Sequence, residues 1–433
     1  MRQSATFIPA DSSKFKTKLL YWASTHEVFA FLDSHGHAPH LVGKGPELLV
    51  AAGVVSAISC PAGEAFGALE KFQSKTRDWL FGGFGYGLKN ETEQLSSRHQ
   101  DRIGFPDLFF FQPVAVIKVA GAHVEIQVCG HSPESIFAAI EEQVIPVPPQ
   151  TVQANIGLKP RIPKSDYLNI VGQIKEHIAA GDVYEMNFCQ EFYAENARIN
   201  VLDTWAKLSE LSHAPMSAYL RWYSRHLLCA SPERFIKKEG HKLISQPIKG
   251  TRPRIPGQDE ILRSELANSE KDQAENVMIV DLVRNDLART CVPGTVKVEE
   301  LFGIHSFETV HQMISTVTGV LRPEVQGIDA IRHSFPPGSM TGAPKVMAMQ
   351  LIEQYESSKR GLYSGAVGYF DPQGNFDFNV VIRSILYDAA RSYVSFQVGG
   401  AIVYDSVPEE EYQECLVKAK AMFRALGVDS IQL

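Results

Sequence analysis

Five prolines, Pro146, Pro148, Pro149, Pro160 and Pro163, fall within residues 141–163. Proline fixes φ, lacks an N–H and pushes the residue before it out of helical backbone, so this stretch interrupts both helix and sheet. It predicts a linker or a sheet-to-sheet crossover, dividing the chain into a β-rich region, 1–150, and a larger region, 151–433. Before it, apolar runs alternate with glycine clusters at 79–88, 108–117 and 123–129, the pattern of strands joined by turns. After it the pattern is mixed. Ser165 is placed to cap a helix in which Tyr167, Ile170, Val171, Ile174 and Ile178 recur at helical spacing, and Gly181 ends it. A strand over 183–193, a short helix over 201–211 and strands over 218–222 and 227–230 follow. Asn268 or Ser269 opens a helix reaching about 286, and 343–356 is another. Three strands in succession, 362–370, 376–387 and 393–398, precede a last helix from Pro408 to Gly427. Strands in groups with helices between the groups predict an α+β fold with large antiparallel sheets, not a doubly wound parallel one.

The 433 residues suffice for one large or two ordinary domains. With 44% apolar and 21% charged residues the composition is that of a globular soluble protein. A net charge of −7 argues against a nucleic-acid backbone or an anionic membrane as partner. An acidic protein acting on an anion must gather positive charge locally or use a metal. The cysteines at 60, 129, 189, 229, 291 and 415 form no CxxC pair and no zinc-spaced cluster, and read as small buried hydrophobes of a reducing compartment. Residues 1–18 lack the apolar core of a signal peptide, and the longest apolar stretch, 48–58, is too short to span a bilayer. The expected location is the cytoplasm.

The tetrad Pro247-Ile248-Lys249-Gly250, with Thr251 after it, carries the sharpest chemical signal. It joins a strand-like segment, 241–246, to a loop opened by Gly250. A lone lysine at a strand end is usually a surface residue. One fixed between proline and glycine can instead be desolvated, lose its proton and act as a nucleophile. Acids recur on helices. Glu411, Glu414 and Lys418 share one face of the last helix, and Asp272 and Glu275 sit three apart beside an apolar stripe of Val277, Met278 and Val280. Solvated acidic faces are the commoner meaning; the alternative is that two helices each lend a carboxylate to Mg²⁺. The segments 338–345, with Ser339, and 399–401, at a strand end with Gly400, have backbone N–H groups able to hold a carboxylate, although plain turns are the commoner use of glycine. Residues 338–341 are not a P-loop, since GxxxxGK[ST] is absent. Arg383, inside an apolar strand-like run, is expected to face a pocket and a partner acid. Glu233 follows an apolar strand, where burial raises a carboxyl's pKa and makes it a general acid. His311 is more often structural than catalytic when it stands alone.

Together these segments resemble the chorismate-utilising enzymes: the synthase subunits for anthranilate and aminodeoxychorismate, with isochorismate and salicylate synthases as relatives. The matching wording is SPERF (231–235), PIKGTRPR (247–254), EKDQAENVMIVDLVRNDLAR (270–289), VHQMISTVTG (310–319), FPPGSMTGAPKVMAMQLIE (335–353), RGLYSGAVGYF (360–370), VIRS (381–384) and GGAIVYDSVPEEEYQECLVKAKAM (399–422), with looser matches at 31–34, 84–90 and 105–113. The resemblance implies a sandwich of large antiparallel sheets with helices outside, the sheets shared between 1–150 and 151–433. It implies Glu275 and Glu414 as Mg²⁺ ligands, helped through water by Glu411 and Asp272. It implies that Lys418 and the backbone at Gly250 and Gly400, with Thr251 and Ser339 nearby, hold the ring carboxylate of chorismate, and that Arg383 and Tyr363 hold the enolpyruvyl carboxylate. Glu233 is then the acid that protonates the departing 4-hydroxyl, and His311 matches the active-site histidine.

Lys249 selects a branch. Anthranilate, isochorismate and salicylate synthases carry alanine there, and the aminodeoxychorismate branch typically carries lysine. The implied reaction joins chorismate and ammonia into a 4-amino product for 4-aminobenzoate and folate synthesis, through addition of Lys249 at C2. For that, the lysine is expected to fall from about 10.4 towards 7. The alternatives are anthranilate formation, or an inactive relative acting as sensor or scaffold. No segment resembles a glutaminase, so a separate glutamine amidotransferase subunit is the expected ammonia source. The usual Tyr-Gln wording is Tyr184-Glu185 here, with no role for Glu185 evident. Met216 follows Pro215 where relatives have an aromatic residue, which argues against tryptophan binding.

Overall fold

The computed structural model describes residues 2–37, 46–146 and 156–428. Its strands pair antiparallel throughout, in two ladders that share their longest members. One ladder runs from Gln3–Phe7 through His123–Val128, Leu108–Ala120, Leu48–Cys60, Val28–Asp33, Met216–Trp222, Arg225–Ser231, Ser384–Asp388 and Tyr393–Ile402 to Glu185–Ala194. The other leaves Leu108–Ala120 through Leu80–Phe84, Ala366–Phe370, Phe376–Asn379, Arg234–Glu239 and Lys242–Gln246 to Val310–Val320. Ile248–Pro253 and Lys297–Ser306 complete that end, each pairing with Val310–Val320.

Side chains alternate across a strand, and here both faces are apolar. Val28–Asp33 sends Val28 and Ala30 into one core and Phe29 and Phe31 into another; Met216–Trp222 divides Leu220 and Trp222 from Tyr219 in the same way. The first core lies between the ladders, where Phe109 meets Trp222 with ring centroids 5.1 Å apart. The second lies under helices: Trp205 of Val201–Ser212 packs on Tyr219, and Phe423 of Pro408–Ala425 packs on Phe192 and Phe396. The fold is α+β, a sheet sandwich with helices outside, as expected.

Strands from both sides of the proline-rich stretch interleave in both ladders: Val28–Asp33 pairs with Met216–Trp222, and Leu80–Phe84 with Ala366–Phe370. Pro148 and Pro149 lie outside the described residues. Pro160 does not break the sheet but sits in a short edge pairing opposite Phe192, and Pro163 rather than Ser165 occupies the cap position of Lys164–Ala180. The expected strand over 376–387 is two, Phe376–Asn379 and Ser384–Asp388. All six cysteines are free; Cys60 and Cys129 are only half-buried. No helix among the described residues is long and apolar enough to cross a membrane.

Candidate active site

Lys249 stands on Ile248–Pro253, whose register against Val310–Val320 shifts between Ile248 and Thr251. Gly250 is therefore part of a bulged edge strand, not the start of a loop. Its φ of +82° suits glycine, and a Cβ there would meet Leu266 at 2.8 Å and the Asp272 carboxyl carbon at 2.9 Å. The bulge re-aims Lys249 inward. Its Nζ donates to Glu185 Oε1 at 2.8 Å and lies 3.7 Å from Glu275 Oε2. Burial pushes the ammonium's pKa down, but Glu185 and Glu275, with Glu233 behind them, hold it well above the ordinary lysine value. The expected fall towards 7 does not occur in this state, because two acids outweigh desolvation.

Glu233 follows the strand Arg225–Ser231 and is buried. Burial pushes its carboxyl up to about 7; Ser339 and Lys249 pull it back only partly. The Ser339 hydroxyl faces it without completing a well-formed hydrogen bond. Arg360 ties the surrounding segments together: it pairs with Glu356 at 2.6 Å and donates to the carbonyls of Met340 at 2.6 Å and Asn187 at 3.0 Å.

Glu275 lies on Glu270–Ala288, a helix capped by Ser269, whose side chain accepts from the Asp272 N–H. Its buried face is Asn276, Ile279, Val280, Val283 and Leu287; Val277 points outward, against the expected stripe. Asp272 is taken by Arg252 at 3.0 Å. Glu411 and Glu414 come from Pro408–Ala425. Both approach Gly400, where a Cβ would meet Glu411 Oε2 at 3.1 Å and Glu414 Oε1 at 3.3 Å. Gly399–Ala401 lies within Tyr393–Ile402, paired with Glu185–Ala194, and is not a strand end. Glu411 accepts from Ser406 at 2.7 Å, and Lys418 spans Glu414 at 2.6 Å and the Gly399 carbonyl at 2.8 Å. Burial pushes Glu275 and Glu411 up, whereas Glu414, the most exposed of the three, is held down by Lys418 against its desolvation. The charge of Lys271, unremarked in the sequence, reaches Glu275, Glu411 and Glu414 together. Among the described residues no three His, Cys, Asp or Glu side chains form a ready-made metal cage. Magnesium commonly takes one or two carboxylates and fills its octahedron with water and ligand oxygens. Glu275 on one helix, partly buried, and Glu414 on another, with 45% of its side chain exposed, leave room for those oxygens, and the shared reach of Lys271 places both in one region.

Arg383 is not in a strand. It occupies the connection before Ser384–Asp388 with a left-handed φ of +52°. Burial pushes its pKa down, offset only by Tyr363 and Glu414 nearby. The expected partner acid is missing: among the described residues no carboxylate pairs with it. Tyr363 is buried, with its hydroxyl 3.5 Å from Cys189 Sγ. His311 is buried opposite Arg252, its Nδ1 2.8 Å from Ser306 Oγ and its Nε2 3.6 Å from Asp259. Thr251 is exposed. The structure thus gathers Lys249, Glu233, Glu275, Glu414, Glu411, Gly400, Lys418, Arg383 and Tyr363 around one region, and leaves Thr251, Asp272 and His311 engaged or facing elsewhere.

A family model described as chorismate binding enzyme matches residues 27–424. The chain belongs to the chorismate binding enzyme family. It is 36% identical over 346 residues to an aminodeoxychorismate synthase component 1 of Klebsiella aerogenes, covering 79% of this chain and 76% of that protein. It is 43% identical over 275 residues to a probable chloroplastic aminodeoxychorismate synthase of Oryza sativa subsp. japonica, covering 62% of this chain but only 30% of the plant protein's length. Among solved structures, anthranilate synthase component I from Streptococcus pneumoniae superposes with a TM-score of 0.76 at 26% identity, covering 86% of this chain and 91% of that one. In this chorismate-binding fold, sequence reasoning missed Glu185 as the partner of Lys249. The available signal was an acid at the head of a strand that carries Met186, Phe188 and Phe192 into the core.

Proposed function

We propose that this chain makes 4-amino-4-deoxychorismate from chorismate and ammonia in the cytoplasm, with a separate glutamine amidotransferase supplying the ammonia. One observation carries the reading: a desolvated lysine held between two acids, within electrostatic reach of a buried carboxyl whose pKa is about 7. Groups perturbed by burial and by specific partners, gathered at one place, mark chemistry more often than structure.

Arg383 and Tyr363 take the enolpyruvyl carboxylate. Lys418, with the backbone at Gly250 and Gly400, takes the ring carboxylate. Glu275 and Glu414 would hold Mg²⁺, assisted by Glu411, and the ion when bound supplies positive charge to that carboxylate. Lys249 rests as an ammonium, so it gives up one proton to solvent before it attacks, and regains one at the end when the ammonium formed at C4 loses its own. Its Nζ then bonds to ring C2, the two conjugated ring double bonds both shift towards C4, and the C4–O bond breaks. Glu233 gives its proton to the departing hydroxyl, which leaves as water. Ammonia bonds to C4, both double bonds shift back, and the C2–N bond breaks to release Lys249. Two allylic displacements leave the amine on C4.

The test is a product assay on the purified chain with chorismate, Mg²⁺ and an ammonium salt at alkaline pH, read by mass spectrometry. Aminodeoxychorismate is the expected product. Fluorescent anthranilate would mean that Lys249 does not set the branch, and no turnover even with an amidotransferase added would favour the scaffold alternative.

A further inference from the structure

We propose that Glu185 is the positioning residue for Lys249, fixing where the amine stands; the inference rests on the nucleophile reading above. Glu185 begins the strand Glu185–Ala194 and is 1% exposed. Its backbone is held from both directions. It pairs with Ala343 in the short ladder to Gly342–Ala343, and a Cβ on Gly342 would come within 2.1 Å of the Glu185 carbonyl oxygen. No side chain fits between these two segments, so the carboxylate is carried on a closely packed frame. The tie through Arg360 to Asn187 and Met340 stiffens the same frame.

Lys249 has no such frame of its own. It sits on an edge strand, at a bulge, on a side chain with four rotatable bonds. Its nearest hydrogen-bond acceptor is Glu185 Oε1 at 2.8 Å; Glu275 at 3.7 Å is beyond hydrogen-bond distance. A charge-assisted hydrogen bond from a rigid buried acid to a flexible amine sets the amine's direction. The second oxygen, Oε2, is buried and accepts nothing among the described residues, so Oε1 alone carries the contact. An amide oxygen there would preserve the acceptor and lose only the charge.

The experiment combines kinetics with crystal structures of Glu185→Ala and Glu185→Gln. Glu185→Ala is expected to lower kcat for amination by about 100-fold with KM for chorismate little changed, the scale of a misplaced reacting group. Glu185→Gln, isosteric, is expected to stay within about tenfold of the parent, since a neutral acceptor bonds roughly half as strongly. In the crystals Lys249 Nζ should leave its site in Glu185→Ala and keep it in Glu185→Gln. In a Lys249→Ala background, Glu185→Ala should cost nothing further. An unmoved Nζ in Glu185→Ala, equal losses in Ala and Gln, or an additive loss in the double variant would each overturn the proposal. The crystal comparison needs no turnover. A displaced Nζ in a protein that does not aminate chorismate would sink the function and leave the positioning intact.

Discussion

Two partly buried cations stand in this site, and the protein treats them in opposite ways. Lys249 is enclosed by Glu185 and Glu275 and held charged against its burial. Arg383, also partly buried, has no ion pair among the described residues, and desolvation pushes its pKa down. Its backbone is strained as well, at φ +52° for a side chain with a Cβ. A charge already compensated needs no ligand to be stable. A charge left uncompensated costs stability until an anion arrives. Under the proposed function the lysine would serve the reaction and the arginine the recognition of substrate.

The strongest way to break this contrast is to remove each cation in turn. Lys249→Ala should cut 4-amination by at least about 100-fold, by mass-spectrometric product assay, with Mg²⁺ binding by calorimetry retained. It should also destabilise the protein by about 3–5 kcal/mol in denaturant titration, since it strands buried acids. Arg383→Ala should behave differently. Chorismate binding should weaken by about 10- to 100-fold, the loss of one or two charge-assisted hydrogen bonds, while the unliganded protein loses no stability. Equal destabilisation by the two variants would end the comparison.

Glu233 adds a pH axis. Unfolded, its carboxyl ionises near the ordinary 4.5; folded, it keeps its proton until about 7. Because the folded value is raised, this group's contribution to stability is fully present below 4.5 and is lost as pH rises through 7, reaching about 3 kcal/mol at pH 8. Glu233→Gln should therefore raise stability at pH 8 relative to pH 5 while abolishing turnover. In the parent, kcat/KM should fall above pH 7 as the general acid ionises. The smallest expected effect is Lys418→Met, a few-fold loss in chorismate affinity by titration, because this half-exposed amine is already shared between Glu414 and the Gly399 carbonyl.

Local signals in the sequence located the two acidic helices well. Ser269 caps one and Pro408 opens the other, although Val277 turns outward and Glu411 is buried while Glu414 is not. Partners across the fold were beyond such signals. Glu185 and Lys249 meet only because strands from different parts of the chain converge, and the sign of the lysine's pKa shift follows from that meeting. Arg383 was misread for a related reason. Val380, Val381 and Ile382 look like strand residues, but their backbone is recruited by other segments: Val380 N–H bonds to Glu233, and Val381 N–H to Gly365. Tertiary hydrogen bonding took the run out of the ladder and left Arg383 to make the turn.

The interleaving of the ladders bears on how such a molecule is made. Gly82 pairs with Gly368, and Phe29 with Arg221. During synthesis Leu80–Phe84 emerges from the ribosome long before the partner that will cover its second edge. Until then an apolar strand offers unpaired N–H and C=O groups to any passing chain. Closing contacts so distant in sequence is also slow. A nascent polypeptide of this topology is exposed to aggregation for most of its translation, which makes chaperone supply a determinant of its yield. Cutting the gene within 1–150 would leave both ladders open.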